Sequence, residues 1–133
     1  MSLDIFSAYA TDENLENHGS WFKLGGDARV LVARTGNRAY AKSLTKHVEL
    51  QRATLDLGGD AAEAASDQIM VEVIAESILL GWENISFKGA DLPYSIENAK
   101  TVLAVKDFRK VIVGFADSSE AYKAKLEADQ GKA

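Results

Sequence analysis

The sequence predicts a mainly α fold: a small helical domain with an N-terminal β-hairpin and a short extended or hairpin connector around residues 83–94. Three observations carry that expectation. Apolar residues recur at helical spacing after residue 37, again up to about Leu80, and again after Ser95. A Gly-Gly-Asp step at residues 25–27 separates two short runs, Trp21 to Leu24 and Val30 to Val32, that suit paired strands. Residues 81–95, GWENISFKGADLPYS, abandon the helical spacing for short alternation around the one proline in the chain.

Taken in order, residues 1–19 are polar with scattered apolar positions at Leu3, Ile5, Phe6 and Tyr9, which predicts a partly flexible arm or a short helix. Residues 20–133 read as one helical domain whose last residues fray. Glycines in the 25–27 turn permit the positive φ that a tight hairpin needs. Asn37 is placed to cap a helix through about Ala53. Gly58-Gly59 breaks it, and Asp60 with Glu63 three residues on resembles a capping box for a second helix ending near Leu80. Gly81 is read as the stop, with Trp82 folding back on the helix it follows. Ile85, Phe87, Leu92 and Tyr94 alternate with polar residues across Lys88 to Asp91, a minimal hairpin or an extended clasp. Pro93 pushes Leu92 towards extended backbone. Ser95 caps a third helix with Glu97 in its first turn. A break is expected near Gly114 to Ser119.

One helix carries more apolar surface than its neighbours. At about 100° per residue, Ile69, Met70, Val73, Ile74, Ile78 and Leu80 cover roughly half of its circumference. A surface helix has a narrower stripe. Such an arc marks either the central helix of a small core or a face shared with another chain. Ile69, Met70, Val73, Ile74, Ile78, Trp82, Leu92 and Tyr94 are therefore the candidate partner or self-association surface.

The rest of the sequence excludes more than it assigns. A net charge of −5 disfavours nucleic-acid binding, and the densest basic group, Lys100, Lys106, Arg109 and Lys110, is interleaved with Glu97 and Asp107. No cysteine is present, so disulfides and thiolate metal sites are excluded. The first 20 residues hold four acidic side chains and no Lys or Arg, unlike a secretory signal, and no apolar run approaches the roughly 20 residues of a membrane span. His18 and His47 lack a second ligand at a metal-binding spacing. No nucleophile elbow or phosphate loop occurs, and Glu72 and Glu76, one turn apart, read as a solvated face. No catalytic, cofactor or metal site is expected.

One stretch carries a resemblance. Residues 80–85, Leu-Gly-Trp-Glu-Asn-Ile, are followed by Phe-Lys-Gly-Ala-Asp-Leu-Pro-Tyr-Ser-Ile-Glu-Asn-Ala at 87–99 and then by an apolar helix. This order resembles the tail assembly chaperones of long-tailed bacteriophages, most clearly over residues 76–117. The resemblance implies a protein that binds the tape measure protein, keeps it soluble and promotes tail-tube polymerisation around it. It implies a homo-oligomer in the bacterial host cytoplasm, absent from the mature virion. It also implies a longer form, made by a −1 frameshift, that recruits tail-tube protein; Gln130-Gly131-Lys132 can be encoded by a slippery heptamer. The alternatives are a structural tail completion or connector protein retained in the virion, and a small enzyme or regulator of host origin.

Overall fold

The computed structural model describes residues 2–124. Asp4 accepts a hydrogen bond from the Phe6 amide and opens a short helix, α1 (Ile5–Tyr9). Asp12 does the same for α2 (Glu13–His18), accepting from the amides of Asn14 and Leu15. Gly19 then turns the chain at φ +96°, ψ 158°, a region open essentially only to glycine. The expected hairpin follows: β1 (Ser20–Gly25) and β2 (Ala28–Val32) are antiparallel, with Gly26 at positive φ in the turn.

Asn37 caps α3 (Arg38–Leu50) as its position predicts, accepting from the Tyr40 amide at 3.0 Å. Its amide nitrogen also donates to the carbonyls of Arg34 and Ser77, so the cap fastens the start of α3 to the end of a helix 40 residues on. After α4 (Arg52–Asp56) comes the long α5 (Gly59–Ser77). Its N-cap is Gly58, not Asp60: Gly58 and Gly59 both take positive φ, which starts the helix earlier and leaves Asp60 within the first turn.

The largest departure from expectation comes at the end of α5. The helix stops at Ser77, and Leu79–Glu83 form a strand, β3, instead of a last helical turn and a glycine stop. The physical reason is the open edge of β2, whose backbone groups need partners once its side chains are buried. β3 pairs antiparallel with β2, setting Arg29 opposite Glu83, Val30 opposite Trp82 and Leu31 opposite Gly81. The sheet has the order β1-β2-β3. Gly81 thus sits inside a strand, beside Leu31, and ends no helix. A second small sheet, β4 (Ser86–Phe87) with β5 (Ala90–Asp91), closes through Lys88 and Gly89, both at positive φ as a two-residue hairpin turn requires. The mainly α expectation is therefore corrected: the fold is mixed α/β, with a three-stranded antiparallel sheet, a two-stranded hairpin and helices around them.

Ser95 caps α6 (Ile96–Leu103) through the Asn98 amide. A break that the spacing did not predict falls at Ala104–Val105; α7 (Lys106–Ala116) then runs through Gly114 and stops at Ala116, within the expected window of Gly114 to Ser119. A helical glycine costs about 1 kcal/mol without ending a helix. The turn at 104–105 is stabilised by Arg109, whose guanidinium donates to the Leu103 carbonyl at 2.9 Å. A 3₁₀ turn at Glu120–Tyr122 leads back to the amino-terminal segment.

The core lies between the sheet and α5, α6 and α7, and includes Val30, Val32, Ile74, Ile78, Leu79, Trp82, Leu103 and Ile112. Tyr122 is fully buried and donates from its hydroxyl to the Val32 carbonyl at 2.7 Å. Phe22 stacks on Phe115 with ring centroids 4.5 Å apart. The amino-terminal arm is tied down from Ala10 onward. The Asp12 amide bonds Tyr122, the Ala124 amide bonds Ala10, and the Arg34 amide bonds Glu16. The candidate slippage positions, Gln130 to Lys132, lie outside the described residues.

Candidate functional site

Two places on the fold combine charge with shape. The first is a polar seam between α3 and α5. Helical spacing puts Ser43 and His47 on one face of α3, and Glu72 and Glu76 on one face of α5. His47 Nε2 lies 2.9 Å from Glu76 Oε1, and the Ser43 hydroxyl donates to the same oxygen at 2.8 Å. Glu72 accepts from Gln68 at 2.9 Å and pairs with Lys100 of α6 at 2.9 Å. Burial raises the Glu76 pKa, but the hydrogen bonds from His47 and Ser43 outweigh it and hold the carboxyl below the usual range. The Lys100 hydrogen bond lowers Glu72, and the same contact raises Lys100.

A ligand atom from each of His47, Glu72 and Glu76 lies within 4.8 Å of the other two. One imidazole and two carboxylates are a donor set that suits zinc or manganese. Here the same oxygens are already engaged by Ser43, Gln68 and Lys100. The seam works as an electrostatic joint that fastens α3 and α6 to α5. Sequence spacing treated His47 and the two glutamates separately; the fold brings them together.

The second place is a groove of about 390 Å³ between α5 and α7. Met70, Ile74 and Val113 form its apolar floor, and Lys106, Arg109 and Lys110 rim it. Arg109 is shared with Asp67 at 3.7 Å, whereas Lys106 and Lys110 make no ion pair among the described residues. In a chain of net charge −5, this is a locally cationic face. A separate hollow of about 330 Å³, lined by Glu13, Glu16, Arg34 and Arg38, pairs its own charges, with Arg34 to Glu16 at 2.9 Å.

Of the residues proposed from sequence as a partner surface, Ile69, Val73, Ile74, Ile78 and Trp82 are buried by this chain itself. Leu79 and Leu80 belong to the strand that follows, so the wide arc is the inside of the core and not an open face. Met70, Leu92 and Tyr94 stay partly exposed. Trp82 donates from its indole to the Leu92 carbonyl at 2.8 Å and meets Tyr94 edge to face at 5.0 Å. The Tyr94 hydroxyl donates to the Leu79 carbonyl. The connector is thereby locked onto β3. Exposed apolar side chains concentrate instead on α1 and its approach, where Leu3, Ile5, Phe6 and Tyr9 are 64%, 63%, 67% and 66% exposed. Among the described residues, no helix is long and apolar enough to cross a membrane.

No curated protein and no solved structure matches the chain. A family model described as YdaY prophage protein matches residues 35–133, a span that holds the polar seam, the connector and the cationic groove. A match over that much of the sequence shows that the chain belongs to the YdaY prophage protein family.

Proposed function

We propose that this prophage protein is a tail assembly chaperone. It binds the tape measure protein, keeps that long chain soluble, and promotes polymerisation of tail-tube protein around it in the host cytoplasm. The observation that carries the reading is the connector at residues 80–99, whose order resembles that of phage tail assembly chaperones, within a chain of a prophage family. The protein acts by binding and not by catalysis, self-associates, and leaves before the virion matures.

The test is co-expression with a tape measure protein from the same prophage. The expected result is a tape measure protein that turns soluble and co-purifies with this chain. A tape measure protein that stays insoluble and unbound removes the reading. Finding the chain in purified mature particles by mass spectrometry supports the structural tail component instead. The longer form that would recruit tail-tube protein needs a slippery heptamer at codons 130–132 and an open −1 frame beyond it, which the nucleotide sequence decides.

A further inference from the structure

Two apolar surfaces that this fold leaves open have complementary charge. The first is α1 with its approach. Its four large apolar side chains are about two-thirds exposed, and its one charged side chain is Asp4; Glu13 and Glu16, farther along on α2, are already paired with Arg38 and Arg34. The second is the α5–α7 groove, apolar at Met70, Ile74 and Val113 and cationic at Lys106 and Lys110. We propose that α1 of one copy docks in the α5–α7 groove of a second copy, so that copies join head to tail. This rests on the self-association part of the function proposed above and not on tape measure binding.

The magnitudes suit a reversible contact. An aromatic side chain buries 150–250 Å² when covered, so Phe6 and Tyr9, about two-thirds exposed, bring roughly 100–170 Å² each. With Leu3 and Ile5 the arm offers on the order of 400 Å², the size of the largest apolar patch a monomer ordinarily shows. Such a contact falls at the low end of specific interfaces, which makes assembly concentration-dependent. In this contact Asp4, which opens α1 and accepts from the Phe6 amide and the Ser7 hydroxyl, brings its negative charge to the two lysines that make no ion pair among the described residues. α1 projects ahead of the point where the chain is fastened: Ala10, in extended backbone, accepts from the Ala124 amide, and the Asp12 amide donates to Tyr122. Arm and groove are different surfaces, so every added copy leaves one of each free and growth continues as a ring or a spiral.

The experiment is sedimentation velocity on the full chain over a wide concentration range, with two variants. Phe6→Ser/Tyr9→Ser removes the arm, and Lys106→Glu/Lys110→Glu reverses the rim. The wild type is expected to grow beyond a dimer as concentration rises. Each variant alone is expected to need at least about tenfold more protein for the same association, since like charges or a lost anchor now meet across the contact. An equimolar mixture of the two variants retains one intact arm and one intact groove. It is expected to form dimers and stop there, a result no misfolded variant produces. Variants that assemble like the wild type, or a mixture that stays monomeric, overturn the contact while leaving self-association standing. A wild type that is monomeric at its highest soluble concentration overturns both.

Discussion

Replacing Trp82 by alanine tests how the connector holds the molecule together. Trp82 is 8% exposed, sits on β3 opposite Val30, bonds the Leu92 carbonyl through its indole, and meets Tyr94 edge to face. Truncating a buried tryptophan costs about 3–5 kcal/mol, a range that includes the cavity left behind. Within it, the lost hydrogen bond accounts for about 1 kcal/mol and the aromatic pair for a further 0.5–1.5 kcal/mol. A domain of this size has about 5–15 kcal/mol in total, so the variant is expected to fold with a much lower urea midpoint and an unchanged slope. Trp82→Phe separates the contributions: the ring's packing is largely kept, the indole donor is lost, and about 1–2 kcal/mol should go. Urea titrations followed by circular dichroism measure all three proteins, because Trp21 is too exposed to report on the core by fluorescence. A loss below about 1 kcal/mol for Trp82→Ala with the slope preserved would show that the connector is not clamped through this side chain.

Other outcomes follow from single contacts. Tyr122→Phe removes the donor to the Val32 carbonyl and should cost about 1–3 kcal/mol in a chemical denaturation experiment; no measurable change would mean that carbonyl finds another donor. Burial pushes the Tyr122 hydroxyl up to about 12, so ultraviolet titration should show a tyrosine step well above the ordinary tyrosine value of about 10, and its absence would contradict the burial of that ring. Gly19→Ala should destabilise by more than 1 kcal/mol, since its Cβ would lie 2.9 Å from Leu31 Cγ at a φ that alanine rarely adopts; wild-type stability would contradict the assigned backbone. Glu72 and Glu76 have lowered pKa values in the fold, so their contribution is complete above the ordinary glutamate pKa of about 4.3 and disappears as pH falls through the depressed folded values. The urea midpoint should drop through that acid range, and the drop should be shallower in Glu72→Gln/Glu76→Gln; equal pH profiles for the two proteins would remove the assignment.

The parts of the fold legible in the sequence are those with local causes. Asn37 and Ser95 each satisfy amides within three residues, and Lys88-Gly89 supplies the positive φ of its own turn, so short windows suffice to read them. The third strand has a remote cause. Leu79 to Glu83 extend a helical apolar pattern, and a short apolar run does not by itself distinguish helix from strand. What decides is the free edge of β2, about 50 residues earlier, and the Arg29–Glu83 pair across it, with guanidinium-to-carboxylate distances of 2.7 and 3.0 Å. The same distance in sequence hid Tyr122, whose partner Val32 is 90 residues away. The end of α7 at Ala116 falls in the window that composition marked, Gly114 to Ser119, whereas the α6–α7 break was not legible: its deciding contact is a side-chain bond from Arg109 back to Leu103.

The candidate surfaces divide along the same line. Helical arithmetic put Ile69, Met70, Val73 and Ile74 on one face of α5, but Ile78 and Leu80 lie past its end, and a face does not state what covers it. Ile74 shows the difference: it is 1% exposed, covered by the core, yet it still lines the bottom of the α5–α7 groove. A single buried residue can therefore belong both to the packing of the monomer and to the floor of a surface on which another chain rests. The exposed edge of that surface is set by Lys106 and Lys110, which in sequence read as part of a mixed-charge helix because Asp107 stands between them. In space, a helix advances about 100° per residue, which takes Asp107 off the face that positions 106 and 110 share. Charge alternation along a sequence is thus compatible with a single-sign rim on one helix face. That face, on α7, lies within the part of the chain that matches the prophage family, whereas α1 lies in the segment before the match. Groove and arm are consequently separable by mutation, and a groove variant that loses the proposed self-association while keeping the proposed tape measure binding would assign the two to different surfaces of one chain.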